Sequence, residues 1–234
     1  MRNELNSNRK TAIIVGVLYI VATVAGIISE VFGPNLDAPD YLANLSANKG
    51  QVLIGGLSAF TMAVLTVGIP IYLYPILKKY NKALALGHVV FRTLETVFFT
   101  VCAISLLTLL TLSQEFVIAG TPDASYFQTL ATLLLAGREW AGGVFATIVF
   151  SLSALILNYI LYRSKLIPRW LSGWGLIGAT LYLGSGFLPL FGHDPRSTIY
   201  LLIEAPTFLQ EMVMAVWLIV KGFNPSATAS EPAQ

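Results

Sequence analysis

Three observations place this chain in the all-α class, as a polytopic membrane protein: a six-transmembrane-helix bundle with short extracytoplasmic surface helices. Its 234 residues are 56% hydrophobic and 11% charged, with a mean hydropathy of +0.72, which is more apolar surface than a soluble domain can bury. Apolar windows of about 20 residues, the length that crosses a hydrocarbon core, recur six times. The windows also lack the two-residue alternation of a membrane barrel strand, so backbone hydrogen bonds must close within helices.

The windows centre on residues 11–32, 52–77, 84–112, 141–161, 171–191 and 199–220. The first has a basic start like a secretory signal, but its apolar run is long and Thr23-Val24-Ala25 is a poor cleavage site, so it reads as a retained anchor. Before the second window, Ala38-Pro39-Asp40 carries helix-start chemistry, and Tyr41, Leu42 and Leu45 follow at helical spacing, which predicts a short surface helix. Pro70 and Pro75 lie at the end of the second window and are expected to bend its exit. After the third, Thr121-Pro122-Asp123 opens a segment in which Phe127, Leu130, Ala131 and Leu134 share a face; it reads as a surface helix or as a lead-in to the fourth span. Gly142 and Gly143 in the fourth window, and Gly173, Gly175, Gly178, Gly184 and Gly186 in the fifth, make small faces that let helices approach closely in lipid. The organisation expected is a cytoplasmic segment over 1–10, a membrane domain over 11–221 and a disordered cytoplasmic tail over 222–234.

Positive residues accumulate on the cytoplasmic side of short loops. Arg2, Arg9, Lys10, Lys78, Lys79, Lys82, Arg163, Lys165, Arg169 and Lys221 fall on one side of this topology, and Lys49, Arg138 and Arg196 on the other. Both termini are therefore expected in the cytoplasm, in a multi-pass protein of the cell membrane. The aromatic belt agrees, with Tyr74, Tyr80, Tyr159, Tyr162, Trp170, Trp174 and Trp217 near the inner boundary. No basic patch is dense enough for nucleic acid. The single Cys102 excludes an internal disulfide and reads as a packing residue. His193 lies in an outer Gly192-His193-Asp194-Pro195 turn, no spacing gathers metal ligands, and no cofactor motif is present, so no metal or cofactor is expected.

The third window holds the chain's most informative feature. His88, Arg92, Glu95, Phe99 and Cys102 follow at spacings of four, three, four and three, so they share one helical face. At 1.5 Å per residue, Arg92 lies about 14 Å deep and Glu95 about 18 Å, near the midplane. Gln210 and Glu211 of the sixth window lie about 20 Å from its outer end, again at mid-depth. Glu204 shares a face with Glu211, and Pro206 between them frees the carbonyl of Leu202. A charge at bilayer depth costs about 2.5–3.5 kcal/mol on insertion scales, so it faces the protein interior and is paired or functional. Two readings stand: a mid-membrane binding site of Arg92, Glu95, Glu211, Gln210, His88 and Glu204, or a clasp of Arg92 with Glu95 or Glu211 that only fixes helix register. Arg138, Glu139 and Glu30 read as interface anchors at the outer boundary, with Arg138 and Glu139 also placed to gate an outer vestibule.

The run Leu161-Tyr162-Arg163-Ser164-Lys165-Leu166-Ile167-Pro168-Arg169-Trp170-Leu171-Ser172-Gly173-Trp174-Gly175 resembles the inner loop of a bacterial and archaeal membrane family catalogued as domain of unknown function 4386. Asn8-Arg9-Lys10-Thr11, Leu73-Tyr74-Pro75-Ile76-Leu77-Lys78-Lys79, the Arg92 to Glu95 spacing, Ser113-Gln114-Glu115-Phe116 and Gln210-Glu211 extend the resemblance over residues 8–225. It implies a six-pass membrane protein and brings no catalytic or binding residue with it.

Three functions compete. The first is an integral membrane protein binding or transporting a small or lipidic ligand at the mid-membrane site, with membrane lipids as its surroundings. The second is an intramembrane lipid-modifying enzyme with Glu95 or Glu211 as general base, which needs a lateral opening and a carboxylate that Arg92 does not hold. The third is a structural or partner protein whose buried ion pair is purely scaffolding. The oligomeric state is left open.

Overall fold

The computed structural model describes residues 2–36, 38, 40–120, 124–193 and 197–229, and among these the chain is helical without a strand. The first helix, α1 (Arg2–Val31), is followed by the short α2 (Tyr41–Ala47), then by α3 (Lys49–Leu77) and α4 (Lys82–Ala119). Asn81 caps α4 by accepting from the Leu84 amide at 2.9 Å. Helix α5 (Ala124–Glu139) continues through a π-helical segment, Trp140–Ala146, into α6 (Thr147–Ser164). Next come α7 (Arg169–Phe187) with a 3-10 turn at Leu188–Phe191, α8 (Thr198–Val220) and α9 (Pro225–Ala229).

Six helical stretches are long and apolar enough to cross a membrane: Asn6–Val31, Lys49–Leu77, Lys82–Ala119, Ser125–Ser164, Arg169–Phe191 and Thr198–Val220. The chain is thus an all-α, multi-pass membrane protein. Helix α5 is the lead-in to the fourth span, and α2 is the separate short helix. Helices α3 and α8 run unbroken through Pro70, Pro75 and Pro206. Pro39, Thr121-Pro122-Asp123, Asp194, Pro195, Arg196 and residues 230–234 lie outside the described residues.

The spanning helices close into a ring. Helix α1 packs on α3, α3 on α4, α4 on α6, α6 on α7, α7 on α8, and α8 returns to α1. One end of the ring, the basic end, carries Lys78, Lys79, Lys82, Arg163, Lys165, Arg169 and Lys221. The chain enters and leaves there: Arg9 donates to the carbonyls of Leu218 (3.1 Å), Ile219 (2.6 Å) and Val220 (3.2 Å), a cation on the orphan carbonyls that close α8.

The basic-end half is filled with side chains. Val15, Leu73, Leu77, Leu157, Leu161 and Leu218 pack into one core, and Leu166 and Ile167 fold under it from the α6–α7 loop. That loop turns at Lys165, which closes α6 in the left-handed region at φ 57°. It is held by Asn224, whose amide donates to the Leu166 carbonyl at 2.8 Å. Residues 225–229, at the start of the polar tail, form α9 and bury Ala227 in the same core.

The far end has its own cap. Thirty-eight residues make α4 about 57 Å long, well beyond the ~30 Å hydrocarbon thickness. Its outer turns are covered by α2 and α5, with Leu42, Leu45, Leu106, Leu109, Phe127 and Ala131 packed together.

The small face of α7 seats its two neighbours. A methyl group at Gly175 would overlap the Asn158 side chain of α6, and one at Gly178 would lie 2.9 Å from the Thr207 hydroxyl of α8.

Candidate functional site

Between the filled core and the far cap the ring is hollow. It encloses a cavity of about 760 Å³ lined by residues from every spanning helix. Its floor is the charged face of α4. Arg92 Nη1 donates to both carboxylate oxygens of Glu95, at 3.1 and 2.9 Å, and Nη2 donates to Glu211 Oε1 at 3.0 Å. The first pair comes from consecutive turns of one helix. The second spans the lumen, because α4 and α8 are not neighbours in the ring. The guanidinium carbon also lies 4.8 Å from the Phe150 ring centre. Arg92 and Glu95 are each 2% exposed, whereas the Glu211 side chain keeps 19% of its surface.

Above the floor, Glu204 accepts from the Ser185 hydroxyl at 3.0 Å and from Tyr182. Tyr19 meets Arg92 through a side-chain hydrogen bond, and the Thr207 hydroxyl is buried against Gly178 of α7 without a protein partner among the described residues. Glu30, Arg138 and Glu139 line the mouth. Cys102 reaches the same wall, its Sγ donating to the Arg138 carbonyl at 3.4 Å.

The room has a local cause. The Trp140–Ala146 segment is wound one residue wider per turn than an α-helix, and the Thr147 hydroxyl reaches five residues back to the Gly142 carbonyl at 3.3 Å. Gly142, Gly143 and Ala146 line the cavity from this segment. A methyl group at Gly142 would stand 3.1 Å from the Cys102 sulfur.

One side of the cavity reaches the bundle surface. Helices α1 and α8 touch closely toward the basic end, where a Cβ at Gly16 would meet the Ala215 carbonyl. In the other half α1 leans on α3, with Gly26 against Met62, while α8 leans on α7, with Thr207 against Gly178. There Ile27, Val31 and Phe208 line the cavity and are also among the exposed apolar residues.

Of the six residues singled out in the sequence, Arg92, Glu95, Glu211 and Glu204 come together on this cavity. His88 does not. It lies deeper in the basic-end half, fully buried, with Nδ1 2.6 Å from the Ser153 hydroxyl, which donates to the His88 carbonyl at 3.1 Å. Gln210 turns the other way from its neighbour Glu211, and its Nε2 donates to Asn158 Oδ1 and to the Leu171 carbonyl, each at 3.3 Å. Sequence reasoning passed over Tyr19, Tyr182 and Thr207. The two tyrosines had a signal, since each sits inside an apolar window away from the interfacial belts. Arg138 and Glu139, read chiefly as anchors, line the mouth.

A ring of apolar helices around a cavity with a charged floor defines a multi-pass integral membrane protein with an internal pocket. The chain belongs to the family described as domain of unknown function (DUF4386), whose model matches residues 14–222. It is similar to an uncharacterized protein of Archaeoglobus fulgidus, 23% identical over 173 residues that cover 74% of this chain and 86% of the relative. No solved structure matches it. The 161–175 run that resembles the family lies in the filled half, with Leu161, Leu166, Ile167 and Leu171 buried, apart from the cavity.

Proposed function

We propose that this is a protein of the cell membrane, with both termini in the cytoplasm, that binds or transports a small or lipidic ligand in the cavity above Arg92, Glu95 and Glu211. The observation that carries the reading is the charged floor beside an open room. A clasp that only fixes helix register needs no 760 Å³ space next to it. The orientation rests on the cations gathered at the basic end. Access from lipid is supported by the apolar rim of Ile27, Val31 and Phe208 between α1 and α8.

The scaffolding reading draws support from the complete pairing of Glu95 by Arg92, but it leaves the cavity without a purpose. That same pairing weighs against an enzyme with Glu95 as general base, since both its oxygens accept from a guanidinium.

Cys102, the chain's single cysteine, lines the cavity and provides the test. A small methanethiosulfonate reagent is expected to modify Cys102 in membranes, and to do so faster than it modifies a cysteine placed at Ala85 in the filled half of a Cys102→Ala background. Equal inertness of the two positions would show that the cavity admits nothing and would favour scaffolding.

A further inference from the structure

Among the described residues, the charges inside the cavity are not balanced: its interior lining carries the carboxylates of Glu95, Glu204 and Glu211 against one cationic side chain, Arg92. The whole chain is the reverse, with 14 Lys and Arg against 12 Asp and Glu. The acids are thus gathered inward while the lysines are kept away from this space. On the floor itself, one guanidinium serves two carboxylates. Glu95 takes both its bonds to Nη1, and Glu211 receives one bond on Oε1. Among the described residues, Glu204, the third acid of the interior, is met by the neutral hydroxyls of Ser185 and Tyr182 and by no cation.

An uncompensated carboxylate at membrane depth is held either by a proton or by a cation. The walls specify what kind of cation. Tyr19, Phe99, Phe150, Tyr182 and Phe208 present aromatic rings to the same space, and ring faces attract a desolvated organic cation as well as its apolar body. The Phe150 face already does this for Arg92. The room is too large for a bare ion, and among the described residues no group of His, Cys, Asp and Glu could hold a metal ion.

We propose that the cavity selects a monovalent organic cation with an apolar body, received between the Glu211 and Glu204 carboxylates and the aromatic walls. This rests on the cavity being a ligand site and narrows it to one charge class. Neutral and anionic lipids of the surrounding membrane are thereby excluded as the preferred occupant.

Tetraphenylphosphonium and tetraphenylborate share size and shape and differ in the sign of their charge, so they isolate the claim. The full chain in nanodiscs of zwitterionic lipid, with empty discs subtracted, is expected to bind the phosphonium saturably, one per chain, and the borate no more than empty discs do. Glu211→Gln keeps an acceptor for Arg92 and is expected to weaken phosphonium binding about tenfold, the factor that ~1.4 kcal/mol represents; Glu204→Gln should act in the same direction. Saturable borate binding that matches or exceeds that of the phosphonium overturns the cation preference while the cavity stands as a ligand site. Failure of both probes to bind saturably, with Cys102 inert as well, overturns the preference and the ligand site together. The comparison of the two probes on the unaltered chain decides the matter even if a substituted chain fails to accumulate.

Discussion

The two halves of this bundle use the same six helices to opposite ends. Toward the basic end, the inward positions of α1, α3 and α6 carry Val15, Leu73, Leu77 and Leu157, and they fill the ring. Farther along the same helices the inward positions become Ala22 and Gly26, Ala59 and Thr66, and Thr147 with Ala146 and Gly143, and the ring opens into a cavity. The charged floor lies at the boundary between them. Because lipid is as apolar as leucine, helices in a membrane are held by packing and polar contacts rather than by escape from water. The filled half therefore supplies the cohesion that lets the other half stay hollow. The Arg92 cluster takes part in both, closing the core beneath it and presenting its acids above.

The largest expected effect follows from breaking that boundary. Arg92→Ala leaves Glu95 buried without its partner and removes the α4–α8 link across the lumen, a loss of about 3–5 kcal/mol. Membrane accumulation of the variant is expected to collapse. Adding Glu95→Gln removes the stranded charge and should restore part of it, as read by yield and by thermal unfolding in detergent. Full accumulation of Arg92→Ala alone would mean that the floor is not what joins the two halves.

A pair of truncations contrasts the halves directly. Leu157→Ala removes a side chain only 2% exposed from the filled core and should cost about 2–4 kcal/mol, a transfer and void penalty. Phe99→Ala widens a space that already exists and should cost about 1 kcal/mol or less, although it deletes more atoms. Unfolding midpoints measured side by side check the order. If Phe99→Ala is the more damaging, the far half is held together by its aromatic wall and is not a room the filled half supports.

Much of this was legible beforehand, and the limits were physical. Window length sufficed for the six helices, because lipid permits few alternatives to a satisfied backbone. The i, i+3 and i+4 spacing on α4 brought out Arg92, Glu95, Phe99 and Cys102 as one face. Depth alone could not say which way adjacent residues point. Gln210 and Glu211 stand at one level, yet a helix turns about 100° between them, and only Glu211 faces the lumen. His88 sits on the charged stripe but below the floor, where Ser153 takes it up. The cavity itself was invisible, since a void is set by what neighbouring helices fail to fill. Its one local trace, Gly142-Gly143, has the same composition as a tight packing seam.

A smaller effect than that of Leu157→Ala is expected at the seal of the filled half. Tyr80, in the turn before α4, donates to the Ala227 carbonyl at 2.8 Å and so ties α9 under the core. Tyr80→Phe should cost about 0.5–1.5 kcal/mol near neutral pH, the net worth of one such bond. Burial holds the Tyr80 phenol above its ordinary value, since the charged form would lose its water. A group whose acidity falls on folding contributes its stability in full below the unfolded value near 10, and loses it as pH rises from there through the folded value. The gap in stability between the native chain and Tyr80→Phe should therefore be constant at neutral pH and shrink above about pH 10. Unfolding followed at both pH values checks this. A gap that persists in alkali would mean that the ring's packing, and not its hydroxyl, closes the basic end.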